Sequence, residues 1–231
     1  MQEKINLEFV CTRNNSLSLI AETVAKEELK KRGGGFRERI EVGSSGTRAI
    51  EFRQSIESFE RALELIKRGY YCALVNHNLY SKDDAKMVSH LLSHSNNQEY
   101  IEYRRNVVFR RVVNGLAEKT RASFLEDELK AREEFLLKRR LVYNVRGGKQ
   151  TTINNRNGVI FVMSRQNMEE VFGIYKYTDL NPNVKVISDY VGIKEIADPF
   201  GLPGKEDYFE AFEDLERAVE LTVEKFVEEP K

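Results

Sequence analysis

One stretch of the sequence decides the fold: Glu8-Phe9-Val10-Cys11-Thr12-Arg13-Asn14-Asn15-Ser16-Leu17-Ser18-Leu19-Ile20-Ala21-Glu22. An apolar segment that begins at Ile5 ends at Cys11, and small polar residues separate it from a second apolar pattern that begins at Leu17. The first pattern predicts a β-strand and the second an α-helix. A cysteine in this position lies beside a helix N-terminus, where unpaired N–H groups and a partial positive charge bind anions and favour thiolate over thiol. The stretch therefore predicts a phosphate-binding loop with a nucleophile at its base.

The same stretch resembles the active-site loop of the low-molecular-weight protein tyrosine phosphatases, which reads Cys, five residues, Arg, Ser or Thr, Pro, Ile, Ala, Glu. Cys11 takes the position of the nucleophile, Asn14 that of the loop asparagine and Ser18 that of the hydroxyl after the arginine. The sequence departs from the pattern at two positions. Leu17 stands where the family has its catalytic arginine, and Leu19 stands where it has proline.

Two further stretches carry the resemblance. Gly43-Ser44-Ser45-Gly46-Thr47 is similar to the family's Ser-Ala-Gly-Thr turn, whose serine, here Ser44, steadies the loop asparagine. Ile196-Ala197-Asp198-Pro199-Phe200-Gly201 is similar to the family's general-acid loop, although an ordinary Asp-Pro turn is an alternative interpretation of Asp198. The resemblance implies Cys11 and Asp198 as catalytic residues, Ser44 as a supporting residue, and as phosphate-binding residues Thr12, Arg13, Asn14, Asn15, Ser16, Leu17 and Ser18.

Alternating strand and helix patterns predict a three-layer α/β/α sandwich with a central parallel sheet, similar to the phosphotyrosine protein phosphatase I fold. Its ligand site belongs at the carboxyl ends of the strands. The predicted strands are residues 4–11, 37–42, 158–163 and 184–187. The predicted phosphatase-like domain consists of residues 1–88 and 154–231.

Residues 89–153 have no counterpart in the family pattern and predict an inserted helical arm or hairpin, with a break at Gly115. Residues 98–156 contain fourteen basic and eight acidic side chains, and aromatic residues lie between the basic pairs. One interpretation is contact with a nucleic-acid backbone. The preferred one is an arm that buries the stripe Val108, Val112 and Leu116 against the core or a second subunit.

Composition limits the remaining classes of function. No apolar run reaches the roughly 18 residues of a transmembrane helix, and no signal segment is expected, because the sequence leads directly into the first predicted strand. Two cysteines, Cys11 and Cys72, are too few for a disulfide scaffold, so a reducing, cytoplasmic setting is expected. His90 and His94 lie one helical turn apart and could bind a metal ion together. The preferred interpretation is that they lie on a solvated helix face. No metal and no cofactor are expected.

These observations predict a phosphatase-like protein that binds phosphate monoesters, either on a phosphorylated protein or in a small molecule. Because Leu17 cannot replace an arginine, dephosphorylation is expected to be weakened or lost. Arg13 either reaches the same anion from the other side of the loop or is a solvated loop residue. Two alternatives stay open: a carrier that holds phosphate on cysteine, and a non-enzymatic binding or assembly module that uses the basic insertion, with a homodimer through the insertion as one form.

Overall fold

The computed structural model describes residues 4–49, 59–75, 80–94, 106–142, 147–153, 158–200 and 205–229. All predicted site residues lie within these ranges. Part of the predicted nucleic-acid surface lies outside them, namely Tyr100, Tyr103, Arg104 and Arg105.

Strands and helices alternate along the described chain. The strands are β1 (Ile5–Cys11), β2 (Ile40–Gly46), β3 (Gly158–Val162) and β4 (Val184–Val186). The helices are α1 (Leu17–Arg32), α2 (Phe36–Arg39), α3 (Phe59–Val75), α4 (Lys82–His94), α5 (Val107–Lys138), α6 (Arg165–Tyr175), α7 (Ile187–Val191) and α8 (Lys205–Glu228).

The four described strands form one parallel sheet in the order β2-β1-β3-β4. Strand β1 is therefore central, and Cys11 at its carboxyl end pairs with Gly46 at the end of β2. Strand β2 was predicted over 37–42 but runs over Ile40–Gly46, because residues Phe36–Arg39 form a helical turn and the small residues 43–46 pair with β1. Because the strands are parallel, the segments that follow them lie together at one edge of the sheet.

Helices cover both faces of the sheet. On one face, Val10 and Ile160 pack against Val171 and Tyr175 of α6. Side chains alternate along a strand, so Phe9 lies on the opposite face. There its ring centroid is 6.0 Å from that of Phe161, and Phe161 packs in turn against Tyr190 of α7 at 5.0 Å. The predicted three-layer α/β architecture is confirmed.

The chain divides into two compact units. One consists of Met1–Arg53, Ala131–Asp198 and Phe209–Lys231 and contains the sheet, whereas the other consists of Gln54–Lys130 and Pro199–Tyr208 and is helical. These bounds differ from the predicted 89–153 because α3 and α4 bury their apolar faces against the first part of α5. That helical core contains Ala62, Ile66, Tyr80, Val88, Leu91, Val113, Leu116 and Ala117. The insertion of 89–153 relative to the family stays a prediction.

Helix α5 runs without interruption through Gly115, so the predicted break at this glycine is wrong. Of the predicted stripe, only Leu116 is buried within this chain, whereas Val108 is 70% exposed and Val112 is 37% exposed. Burial of these two valines against a second subunit stays a prediction. The buried face instead follows Val113, which lies about 100° around the helix from Val112.

Gly115→Ala should stabilise the protein. Gly115 is exposed, a Cβ atom there would meet nothing within 4 Å, and alanine in a helix interior is favoured over glycine by about 0.5–1 kcal/mol. Urea denaturation followed by circular dichroism should show this gain. Gly192→Ala is the control and should destabilise, because Gly192 has φ +73°. A loss of stability in Gly115→Ala would contradict a continuous α5.

Candidate active site

The loop between β1 and α1 has its peptide carbonyl groups held from outside. The carbonyl oxygen of Cys11 accepts a hydrogen bond from the N–H of Thr47 at 2.9 Å, and that of Thr12 accepts one from the N–H of Arg48 at 2.9 Å. Both donors follow β2, whose pairing with β1 brings them there. The carbonyl groups of Cys11 and Thr12 are thus both held by backbone N–H groups.

The second half of the loop is held from a different direction. The N–H of Gly148 donates to the carbonyl oxygen of Asn14 at 2.7 Å. The guanidinium of Arg132, on α5, donates through Nη1 to the carbonyl oxygen of Asn15. No described peptide bond is cis, and a trans peptide directs its N–H opposite to its C=O. The N–H group of each of these four peptides therefore points away from the group that holds its carbonyl oxygen.

Two glycines allow this close approach. A Cβ atom on Gly46 would lie 2.8 Å from the backbone carbon of Arg13 and 2.8 Å from the nitrogen of Asn14. A Cβ atom on Gly147 would lie 2.9 Å from the carbonyl oxygen of Asn14. Cβ atoms do not come that near to backbone atoms, so any larger residue would displace the loop.

The sulfur of Cys11 receives two polar contacts. The N–H of Asn14 donates to Sγ at 3.2 Å, and Oγ of Ser18 lies 3.1 Å from Sγ. Asn14 adopts the left-handed conformation, with φ +55°, which asparagine tolerates better than most residues. Hydrogen bonds donated to sulfur stabilise negative charge on it, as a nucleophilic thiolate requires.

Ser18 belongs to a network of hydrogen-bonded side chains. Nδ2 of Asn14 donates to Oγ of Ser18 at 2.9 Å and to Oγ of Ser44 at 3.0 Å. Ser44 in turn donates to the Glu22 carboxylate at 2.5 Å, and Lys26 pairs with Glu22. Ser18 Oγ accepts from Asn14 and keeps its own hydrogen, so it can donate to the sulfur of Cys11 when that sulfur is a thiolate.

Arg13 and Asp198 form an ion pair. Nη2 of Arg13 lies 3.1 Å from Oδ1 of Asp198, and the Arg13 side chain is buried while that of Asp198 is 58% exposed. The interpretation of Arg13 as a solvated loop residue is therefore wrong. Leu17 is also buried, at 5% exposure, as the first residue of α1.

The structure brings together most of the predicted site residues. Cys11, Asn14, Ser18 and Ser44 share one hydrogen-bonded chain, and the backbones of Thr12, Asn15 and Ser16 complete the loop. Asp198 contacts the loop through Arg13. Within the described ranges, no group of three or more histidine, cysteine or acidic residues could hold a metal ion. In the same ranges, no helix is both long and apolar enough to cross a membrane.

Sequence reasoning missed three contributors to the loop. Glu22 lies in the stretch quoted first, but its role as the acceptor for Ser44 was not predicted. Gly147 falls within the predicted helical insertion and was given no role, although the pair Gly147-Gly148 indicates a turn. Nothing in the sequence indicates that Arg132 contacts the loop, because one arginine among many in a charged helix predicts only a solvated position.

The described architecture matches known structures over nearly its whole length. A YwlE mutant from Bacillus subtilis is 14% identical, with 97% of this chain and 100% of that chain covered and a TM-score of 0.53. A low-molecular-weight protein tyrosine phosphatase from T. tengcongensis is 16% identical, with 96% and 99% covered and a TM-score of 0.53. The tyrosine phosphatase Wzb from Escherichia coli K30, in complex with sulphate, is 13% identical, with 96% and 97% covered and a TM-score of 0.52.

The fold is that of the low-molecular-weight protein tyrosine phosphatases. No protein-family model matches the sequence, and no curated protein sequence matches it. At identities of 13–16%, these similarities show the fold of the chain but not its activity.

Gly46→Ala should distort the loop of this phosphatase fold. The added methyl group meets backbone atoms that cannot move aside, so we expect a loss of about 1–3 kcal/mol in the free energy of unfolding together with weaker phosphate binding. Thermal melting and phosphate titration measure both effects. Gly43→Ala, on the same strand, is the matched control, because a Cβ atom there meets nothing within 4 Å. Equal effects in the two variants would contradict the close packing.

Proposed function

We propose that this protein binds phosphate monoesters in the loop of residues 12–18, with dephosphorylation weakened or lost. The ligand is either a phosphorylated protein or a small phosphate monoester. The observation that supports this most is that groups outside the loop hold four of its carbonyl oxygens, so the N–H groups of the same four peptides point away from those contacts. Several N–H groups around one point form a site for a tetrahedral anion beside the N-terminus of α1.

The position of Cys11 supports the same proposal. Its sulfur accepts a hydrogen bond from the N–H of Asn14 and lies 3.1 Å from Oγ of Ser18, so a phosphoryl group bound by the loop would lie next to a nucleophile. The structures with this fold include tyrosine phosphatases and one described as an arginine phosphatase. Both kinds act on phosphoryl groups, which agrees with the ligand class proposed here.

Leu17 is the reason to expect weak turnover. An arginine at this position, as in the family pattern, would clamp two phosphate oxygens and hold them more tightly in the transition state. Loss of one preorganised donor reduces a rate by about 10²–10³-fold. A buried leucine supplies no donor, and Arg13 is directed to Asp198.

Where turnover persists, the steps are those of phosphocysteine chemistry. The sulfur of Cys11 attacks phosphorus, the phosphorus–oxygen bond of the ester breaks, and Asp198 gives its proton to the leaving oxygen. Water then attacks phosphorus, the sulfur–phosphorus bond breaks, and inorganic phosphate leaves. Because Asp198 accepts a hydrogen bond from Arg13, this contact must loosen before Asp198 can serve as the acid.

Hydrolysis of para-nitrophenyl phosphate, measured together with phosphate binding by calorimetry, tests the proposal. We expect the wild type to bind phosphate, to turn over slowly at most, and to lose any turnover in Cys11→Ser. Leu17→Arg should raise turnover by about 10²–10³-fold by restoring the clamp. Leu17→Met is the matched control, since it changes the side chain without adding a donor, and thermal melting checks that each variant folds.

Two outcomes would contradict the proposal. A wild type that neither binds phosphate nor turns over substrate would exclude a phosphate site in the loop. A wild type that accepts a phosphoryl group on Cys11 and passes it to another protein, without release of inorganic phosphate, would favour the phosphocysteine carrier instead.

A further inference from the structure

We propose that Arg132 is a positioning residue for the anion site, which orients the Asn15–Ser16 peptide so that its N–H faces the bound phosphoryl group. The inference rests on the proposed function, because it concerns the same loop. It goes beyond that function by assigning part of the site to a helix that lies outside the loop motif. No residue of the quoted motif supplies this contact.

The contact of Arg132 differs from the other three that hold the loop. The carbonyl oxygens of Cys11, Thr12 and Asn14 accept hydrogen bonds from neutral backbone N–H groups. The carbonyl oxygen of Asn15 accepts from a guanidinium, which stays protonated at any pH a protein tolerates. Hydrogen bonds from charged donors are about twice as strong as those between neutral groups. The peptide nearest to α1 is therefore the one held most firmly.

The effect on an anion passes through one peptide group. The carbonyl of Asn15 and the N–H of Ser16 belong to the same peptide and point in opposite directions. A cation at the oxygen fixes the plane of this peptide, and it also polarises the peptide so that the Ser16 N–H becomes a stronger donor. Ser16 directly precedes Leu17, so the strengthened donor adjoins the position at which the motif arginine is missing.

The contact between Arg132 and the carbonyl oxygen of Asn15 is largely shielded from solvent and from competing groups. Arg132 is 7% exposed, so solvent screens its interaction with the loop only weakly. Its neighbour Glu133 lies 3.9 Å from the other terminal nitrogen, but the Glu133 side chain is 68% exposed and competes little for the guanidinium. Arg13 contributes less to the anion site, since it pairs with Asp198.

Phosphate titration by calorimetry on the full chain tests the inference. We expect Arg132→Ala and Arg132→Gln to bind phosphate about tenfold to hundredfold more weakly than the wild type, and Arg132→Lys to recover part of the loss because it restores a charged donor. Arg139→Ala is the matched control. Arg139 follows α5 and pairs with Glu213 and Glu216, so its loss should lower stability and leave phosphate affinity unchanged.

Chemical rescue separates a positioning role from a merely structural one. Guanidinium ion at millimolar concentration should restore phosphate binding to Arg132→Ala, whereas urea, which is similar in shape but neutral, should not. Arg132→Ala or Arg132→Gln with wild-type affinity would overturn the inference while the proposed function stands. Equal rescue by guanidinium and urea would overturn it as well, because charge would then be irrelevant. A wild type that binds no phosphate would instead overturn the proposed function and this inference together.

Discussion

The outward direction of the loop carbonyls is the constraint on which the site depends. A peptide in a free loop can face either way, and N–H groups that point in mixed directions do not form an anion site. Here Thr47 and Arg48 hold one end of the loop, and Gly148 and Arg132 hold the other. The first pair is placed by the parallel register of β1 and β2, so the geometry of the sheet is converted directly into the geometry of the site.

Asn14 links the backbone of the loop to its chemistry. Its positive φ turns the chain so that its N–H meets the sulfur of Cys11, and its side chain donates to both Ser18 and Ser44. Its Oδ1 accepts from the N–H of Lys149 at 2.9 Å, so the amide is used at both ends and its orientation is fixed. One residue thus links the conformation of the loop to the side chains of Cys11, Ser18 and Ser44.

The sequence was sufficient for what lies within local patterns. The strand–loop–helix pattern around Cys11 predicted the loop, and the resemblance of the turn containing Ser44 to the family's turn implied its contact with Asn14. It was insufficient where tertiary packing overrides local signals. Gly115 indicates a helix break by propensity, but burial of Val113 and its neighbours holds α5 together. The contact between Arg132 and Asn15 joins residues 117 positions apart, and no local pattern marks such a partner.

An arginine at position 17 would contact the phosphate directly, whereas Arg132 contacts the carbonyl oxygen of Asn15 behind the loop. These two arrangements differ in whether their binding energy lowers the barrier to reaction. An arginine that closes on the phosphate oxygens strengthens as the transition state forms, so it lowers the barrier. A guanidinium fixed on the far side of a peptide interacts almost equally with the ground state and the transition state, so it raises affinity without raising the rate. Under the proposed function, Leu17 together with Arg132 is therefore the arrangement expected of a protein that retains phosphoryl groups rather than releasing them quickly. The ion pair of Arg13 with Asp198 agrees with that proposal, because a site that mainly binds would have little need of a general acid.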